Sequence, residues 1–136
     1  AWPVVLVDTT VWIDLLRDRA GTPVSLLKRL LQEGEAVVAP VILQELLQGA
    51  SSLETFERLR RHFLALPILE PESQGATHVA AAALYARCRW QGFTPRSPHD
   101  CLIAQLAIEH GVPLLHDDRD FEALARIEPK LALIPR

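Results

Sequence analysis

Carboxylates stand at two points where an apolar run gives way to a helical pattern. Asp8 directly follows Val4-Val5-Leu6-Val7, and Asp117 and Asp118 follow Leu114-Leu115 and His116. In parallel α/β folds, ligands bind beyond the carboxyl ends of the strands, which is where these acids would fall. Each has a simpler use as well. An aspartate between a strand and a helix commonly caps the helix, and Asp117 with Asp120 three residues on has the spacing of a capping box. Asp100 is harder to explain that way. On a helix starting at Pro98, its surface neighbours are Ile103, Ala104 and Ala107, while Gln105 and Glu109 project from the opposite side. A Ser97-x-x-Asp100 capping box would account for its place in the chain but not for its small apolar surroundings. Glu45 borders the apolar arc of a helix from Pro40, beside Val41, Ile42 and Gly49, where a solvated glutamate is the plain alternative.

Acids gathered at one end of a sheet repel each other. Two like charges about 4 Å apart cost on the order of 4 kcal/mol at an effective dielectric near 20. A hard divalent cation removes that cost, and an oxygen-only ligand set favours Mg²⁺ or Mn²⁺ over zinc. The chemistry of such a site is activation of water and neutralisation of charge on a phosphodiester. The chain has no GxSxG elbow, GxGxxG loop, P-loop or HExxH pair. His116 reads as a polar neighbour rather than a ligand. His99, next to Asp100, points elsewhere on its helix, and Cys88 and Cys101 read as small buried hydrophobes.

The elements that must position these groups alternate. Val4–Val7 predicts a strand buried on both faces. Thr9 or Thr10 would cap a helix from Val11 to about Arg17, and Thr22 would cap one from Pro23 to Gln32 that closes at Gly34. A strand over Ala36–Ala39 and a helix from Pro40 to near Gly49 follow. Ser51-Ser52 cap a helix from Leu53 to about Leu66, and Pro67-Ile68-Leu69 reads as a short strand. Pro71 or Glu72 opens a long alanine-rich helix to about Trp90, and Ser97-Pro98 opens another that ends at His110-Gly111. Strands over Val112–Leu115 and Leu131–Ile134 flank a short helix over Arg119–Ala125. The result is an α/β chain with a short, mainly parallel sheet flanked by helices.

The 136 residues suit one domain with its own core. Hydrophobic residues at 49% and charged residues at 23% exclude a disordered chain. A net charge of −3 gives the molecule as a whole no pull on nucleic acid. The two cysteines form no CxxC pair, which argues against a disulfide scaffold or zinc ribbon and for a reducing, cytoplasmic setting. No apolar run is long enough to span a bilayer, and no basic leader precedes the first strand. With no methionine in the chain, the start at Ala1 reads as an initiator removed or an N-terminus trimmed.

Four segments together resemble PIN-domain ribonucleases of the VapC toxin type. They are Asp8-Thr-Thr-Val-Trp-Ile-Asp-Leu-Leu-Arg17, Gln44-Glu45-Leu-Leu-Gln-Gly49, Asp100-Cys-Leu-Ile-Ala-Gln-Leu-Ala107 and Leu-Leu-His-Asp-Asp118-Arg-Asp-Phe121, in the family's order along the whole chain. The resemblance implies a single PIN-like domain over residues 1–136 and a metal-dependent endoribonuclease, usually the toxin of a type II toxin–antitoxin pair. It implies Asp8 and Asp100 as the principal Mg²⁺ ligands, with Mn²⁺ as a substitute. Glu45 and Asp118 would hold coordinated waters or a second ion, one of them orienting the attacking hydroxide. Thr10 matches a hydroxyl position that contacts the site, and His116 stands where the family often has Thr or Ser. By position the resemblance implies Asp118 as the fourth acid, with Asp117 and Asp120 as the alternatives beside it. An RNA substrate, a homodimer, and an antitoxin whose arginine enters the acidic pocket are implied too.

Arg58, Arg60, Arg61, Arg87, Arg89 and Arg96 could track a phosphate backbone, although the first three read most simply as a solvated helix face. A housekeeping PIN nuclease of RNA maturation is the alternative within catalysis. A receiver-like or other non-catalytic phosphate-binding switch is the alternative outside it, weakened by the lack of a suitable lysine near the last strand and of a phospho-acceptor aspartate near Leu69. A haloacid-dehalogenase-type site would need Asp-x-Asp, and Asp8-Thr9-Thr10 lacks it.

Overall fold

The computed structural model describes residues 4–135. β1 (Val5–Val7) is buried along its whole length, as its unbroken apolar run requires of a strand covered on both faces. It pairs in parallel with β2 (Ala36–Val37) on one side and β3 (Leu114–Leu115) on the other, and β4 (Leu133–Ile134) extends the sheet beyond β3. The order is β2-β1-β3-β4, with Leu6 opposite both Val37 and Leu114. From β1 the chain goes on to β2, and from β3 to β4, so the connections diverge between β1 and β3. In parallel sheets such a divergence is where ligands bind, at the carboxyl ends of the two central strands.

Seven helices cover this sheet among the described residues: α1 (Thr9–Leu16), α2 (Thr22–Glu33), α3 (Pro40–Gln48), α4 (Leu53–Leu64), α5 (Gln74–Trp90), α6 (Pro98–His110) and α7 (Arg119–Ile127). Left-handed glycines end two of them as expected. Gly34 (φ 70°) closes α2 and Gly111 (φ 62°) closes α6, a conformation that a side chain would strain.

Several boundaries differ from the sequence expectation for local reasons. Asp8 caps α1 in place of Thr9 or Thr10, its carboxylate accepting the Thr10 N–H at 3.4 Å. The Gly21 carbonyl accepts the Ser25 N–H at 3.0 Å, which draws Thr22 into the first turn of α2 and leaves Gly21 at the cap. Ser73, accepting from the Ala76 N–H, starts α5 later than Pro71 or Glu72. β2, β3 and β4 are shorter than their apolar runs: β2 and β3 each pair with two residues of the three-residue β1, and β4 pairs only with the two residues of β3. Pro67–Leu69 contributes a single parallel bridge, Ile68 with Val38, rather than a strand. α7 runs on to Ile127, two residues past Ala125.

Leu6, Val7, Ile42, Leu84, Ile103, Leu115, Phe121 and Leu124 are sealed from solvent in one continuous core. Trp12 meets Phe63 edge to face at 5.1 Å and donates its indole N–H to the Val7 carbonyl at 3.1 Å, tying α1 to α4 and to the end of β1. Cys88 and Cys101 are free and buried, and burial pushes the Cys101 thiol up to about 12. Phe121 packs against the His116 ring with centroids 5.8 Å apart. Phe121→Ala is expected to cost about 3–5 kcal/mol in urea unfolding. A loss under about 1 kcal/mol would show that this end of the core collapses freely around the gap.

Candidate active site

Asp8 leaves the end of β1 buried, with 4% of its surface exposed. Burial pushes its carboxyl up to about 6, the Glu45 charge adds to the rise, and hydrogen bonds from Thr10 and Thr9 hold it back. Asp100 sits half-buried in the first turn of α6. Its carboxyl is pushed up to about 7, first by burial and then by the charges of Asp8, Asp118, Asp120 and Glu45. Four elements therefore bring carboxylates within electrostatic reach of one another. The N-terminal ends of α6 and α7 favour negative charge there.

Glu45, on α3, is anchored from a distant part of the chain. The Thr9 hydroxyl donates to its Oε1 at 2.8 Å, and His99 Nδ1 lies 3.8 Å from its Oε2. The second contact corrects the expectation that His99 faces away: its ring turns back from α6 toward α3. Thr9 is buried, so its hydroxyl is committed to this bond. Thr10 is exposed, and both its N–H and its hydroxyl bear on Asp8.

Asp118 is the cap of α7, accepting the Asp120 N–H at 2.9 Å, so the cap falls one residue later than an Asp117–Asp120 box would place it. Asp117 is exposed and is not a member of the converging group. One oxygen each from Asp100, Asp118 and Asp120 lie within 4.8 Å of one another. Ser97 caps α6 through the His99 N–H at 3.2 Å, and the only Ser97–Asp100 bond is between backbone groups. The Asp100 carboxylate is thus free of any capping duty. His116 is buried, and in either tautomer its Nδ1 engages the Asp118 backbone, facing the N–H at 3.2 Å and the carbonyl at 3.1 Å. It steadies Asp118 rather than joining the acids.

Arg96, in the segment between α5 and α6, pairs with Asp118 at 2.6 Å and Asp120 at 3.2 Å. Its hydrogen bond to the Asp120 carboxylate leads, and these acids hold its guanidinium more firmly protonated. Sequence reasoning placed Arg96 only among basic residues and overlooked Thr9. Arg58, Arg60 and Arg61 are exposed on α4, as a solvated face would be. Arg87 is taken up by Glu128 at 3.2 Å.

The donor set suits a hard divalent cation. It is all oxygen, it includes two carboxyls whose ionisation is opposed by burial and mutual repulsion, and three of its members already converge. A parallel sheet with such a cluster at its carboxyl ends is laid out for cation-assisted hydrolysis of phosphate esters.

Comparison with known proteins agrees. The PIN domain family matches residues 5–127. VapC ribonuclease Mb1587 of Mycobacterium bovis and ribonuclease VapC11 of Mycobacterium tuberculosis are each 38% identical over 126 residues, covering 91% of this chain and 93% of the relative. The fold is shared with complexes of known structure. VapBC2 from Rickettsia felis bound to a promoter DNA fragment superposes with a TM-score of 0.73 at 21% identity over 96% of both chains. FitAB bound to an IR36 DNA fragment superposes with a TM-score of 0.72 at 20% identity over 96% of this chain and 94% of the other. The chain belongs to the PIN-domain family, and within it to the VapC ribonucleases. Membership removes the receiver-like alternative. Among the described residues, no helix is long and apolar enough to cross a membrane.

Proposed function

We propose that this chain, acting as one domain, is a Mg²⁺-dependent endoribonuclease and the toxin of a type II toxin–antitoxin pair. The observation that supports the reading is the half-buried Asp100, whose carboxyl is pushed up to about 7 by burial and by the charges of Asp8, Asp118, Asp120 and Glu45, with oxygens of Asp100, Asp118 and Asp120 within 4.8 Å of one another. Asp8 and Asp100 would hold the ion, with Asp118 and Glu45 around it, and Mn²⁺ would substitute. When bound, it would supply charge neutralisation on the phosphodiester and a lowered pKa for water. Glu45, oriented by the Thr9 hydroxyl, accepts a hydrogen bond from the attacking water and takes its proton. Thr10 supports the Asp8 carboxylate. Water adds to phosphorus, the bond to one ribose oxygen breaks, and that oxygen takes a proton from solvent while Glu45 returns its own to solvent.

Solved proteins of this fold include a toxin–antitoxin complex from Klebsiella pneumoniae, which favours the toxin over the housekeeping reading. An apolar groove of about 310 Å³ between α1, α2 and α4, lined by Trp12, Leu16, Leu31, Leu59 and Phe63, offers an antitoxin a surface. Val79 and Trp90, exposed on α5, offer apolar contact to a second copy in a cytoplasmic homodimer.

The test pairs an RNA with a DNA of the same sequence, each with EDTA, Mg²⁺ or Mn²⁺. The expected result is cleavage of RNA alone, only with a cation, leaving no 2′,3′-cyclic phosphate. Cleavage that survives EDTA, or cyclic ends that show the 2′-hydroxyl as nucleophile, would overturn the mechanism.

A further inference from the structure

Arg96 is held more tightly than an exposed arginine needs to be. Its Nε donates to Asp120 Oδ2 at 3.2 Å, its Nη2 to Asp118 Oδ1 at 2.6 Å, and its backbone N–H to the same Asp120 oxygen at 3.1 Å. The preceding Pro95 is buried, which pins the segment from behind. Yet 73% of the side chain remains open to solvent. A guanidinium has five N–H donors in one plane. Two are used here, so three are left on a plane fixed beside the acids that converge with Asp100.

A counter-ion that only quenched Asp118 and Asp120 would gain most by sinking between them, where its charge is least screened. Instead the guanidinium lies at the rim with unspent donors, the arrangement that recognises a phosphate by paired N–H bonds. We propose that Arg96 is a phosphate-binding residue of this nuclease, its plane set by Asp118 and Asp120 and its free N–H groups directed to a phosphate oxygen of RNA bound at the acidic cluster. The proposal rests on the nuclease reading above.

Opposite signs follow for two ligands. The Arg96 charge sits on carboxylates that also attract a cation, so it opposes cation binding while it favours RNA. Arg96→Ala is expected to raise KM for RNA by about 10- to 100-fold, the range of a lost charge-assisted contact, with a smaller fall in kcat. In the same variant, Mg²⁺ measured by calorimetry without RNA should bind as tightly as in wild type or several-fold tighter. Arg96→Lys keeps the charge without the fork, and its KM should fall between the two. It also serves if the alanine variant melts abnormally early.

An unchanged KM in Arg96→Ala, or Mg²⁺ binding weakened in both variants, would overturn the proposal and make Arg96 a brace for the α7 cap. Wild type that binds Mg²⁺ but cuts no RNA would sink the nuclease reading itself, a distinct outcome visible before any variant is made.

Discussion

Asp100→Asn is expected to lower RNA cleavage by about 10³-fold or more, while raising the melting temperature of the metal-free protein at pH 8. Asp100 is the member of the converging trio that Arg96 does not hold. Its charge is therefore opposed by Asp8, Asp118, Asp120 and Glu45 with no direct partner. Losing a cation ligand at the reacting phosphate removes several kcal/mol of transition-state stabilisation, and about 4 kcal/mol corresponds to the stated factor. The substitution is nearly isosteric and leaves the start of α6 intact, because Ser97 caps through His99 and the Asp100 bond to Ser97 uses backbone atoms. Initial rates on RNA and melting curves in EDTA measure both effects. Activity within about tenfold of wild type would remove Asp100 from the site, and a lower melting temperature would show that its charge is compensated in the fold.

The second large effect joins pH to metal. Asp8 is raised from 3.8 to about 6 and Asp100 from 3.8 to about 7. Over that window the folded chain binds more protons than the unfolded one. Metal-free stability is therefore greatest, so far as these two groups act, below about pH 4, and it falls as pH rises through 6 and 7. For Asp8 alone the penalty on ionisation is on the order of 3 kcal/mol. A divalent cation held by the ionised folded form would offset the loss. At pH 8, Mg²⁺ at about 100 times its Kd adds roughly 2.7 kcal/mol, or about 5–10 °C in melting temperature for a chain of this size. At pH 5 the same addition should do little, because protons already occupy Asp8 and Asp100. Equal stabilisation at both pH values would place cation binding at other residues.

Both effects depend on acids whose chain positions were legible before the fold was known, and the reason is local. An apolar run followed by an acid marks the exit of a buried strand, which located Asp8 and the Asp117–Asp118 pair. Helical spacing put Asp100 among Ala104 and Ala107, which are indeed buried. Helix ends at Gly34 and Gly111 were equally plain, since only the residues beside them set that geometry. Caps were less so. Ser97, Ser52 and Ser73 behave as caps, but at α1 and α7 the cap is the acid itself, so Asp8 and Asp118 serve helix and cluster at once.

The sequence by itself determined the parallel α/β architecture, the placing of acids at strand ends and helix starts, and membership of the PIN-domain family. These depend on periodicity and short-range stereochemistry, which a linear pattern carries. Only the tertiary structure decided which groups meet. It joined Thr9 to Glu45 across 36 residues and turned His99 toward that same carboxylate. It set Asp118 and Asp120 beside Asp100, left Asp117 outside, and laid Arg96 over the pair from 22 and 24 residues away. Such contacts depend on side-chain direction at the ends of different elements, and that direction is set only when those elements pack together on the sheet.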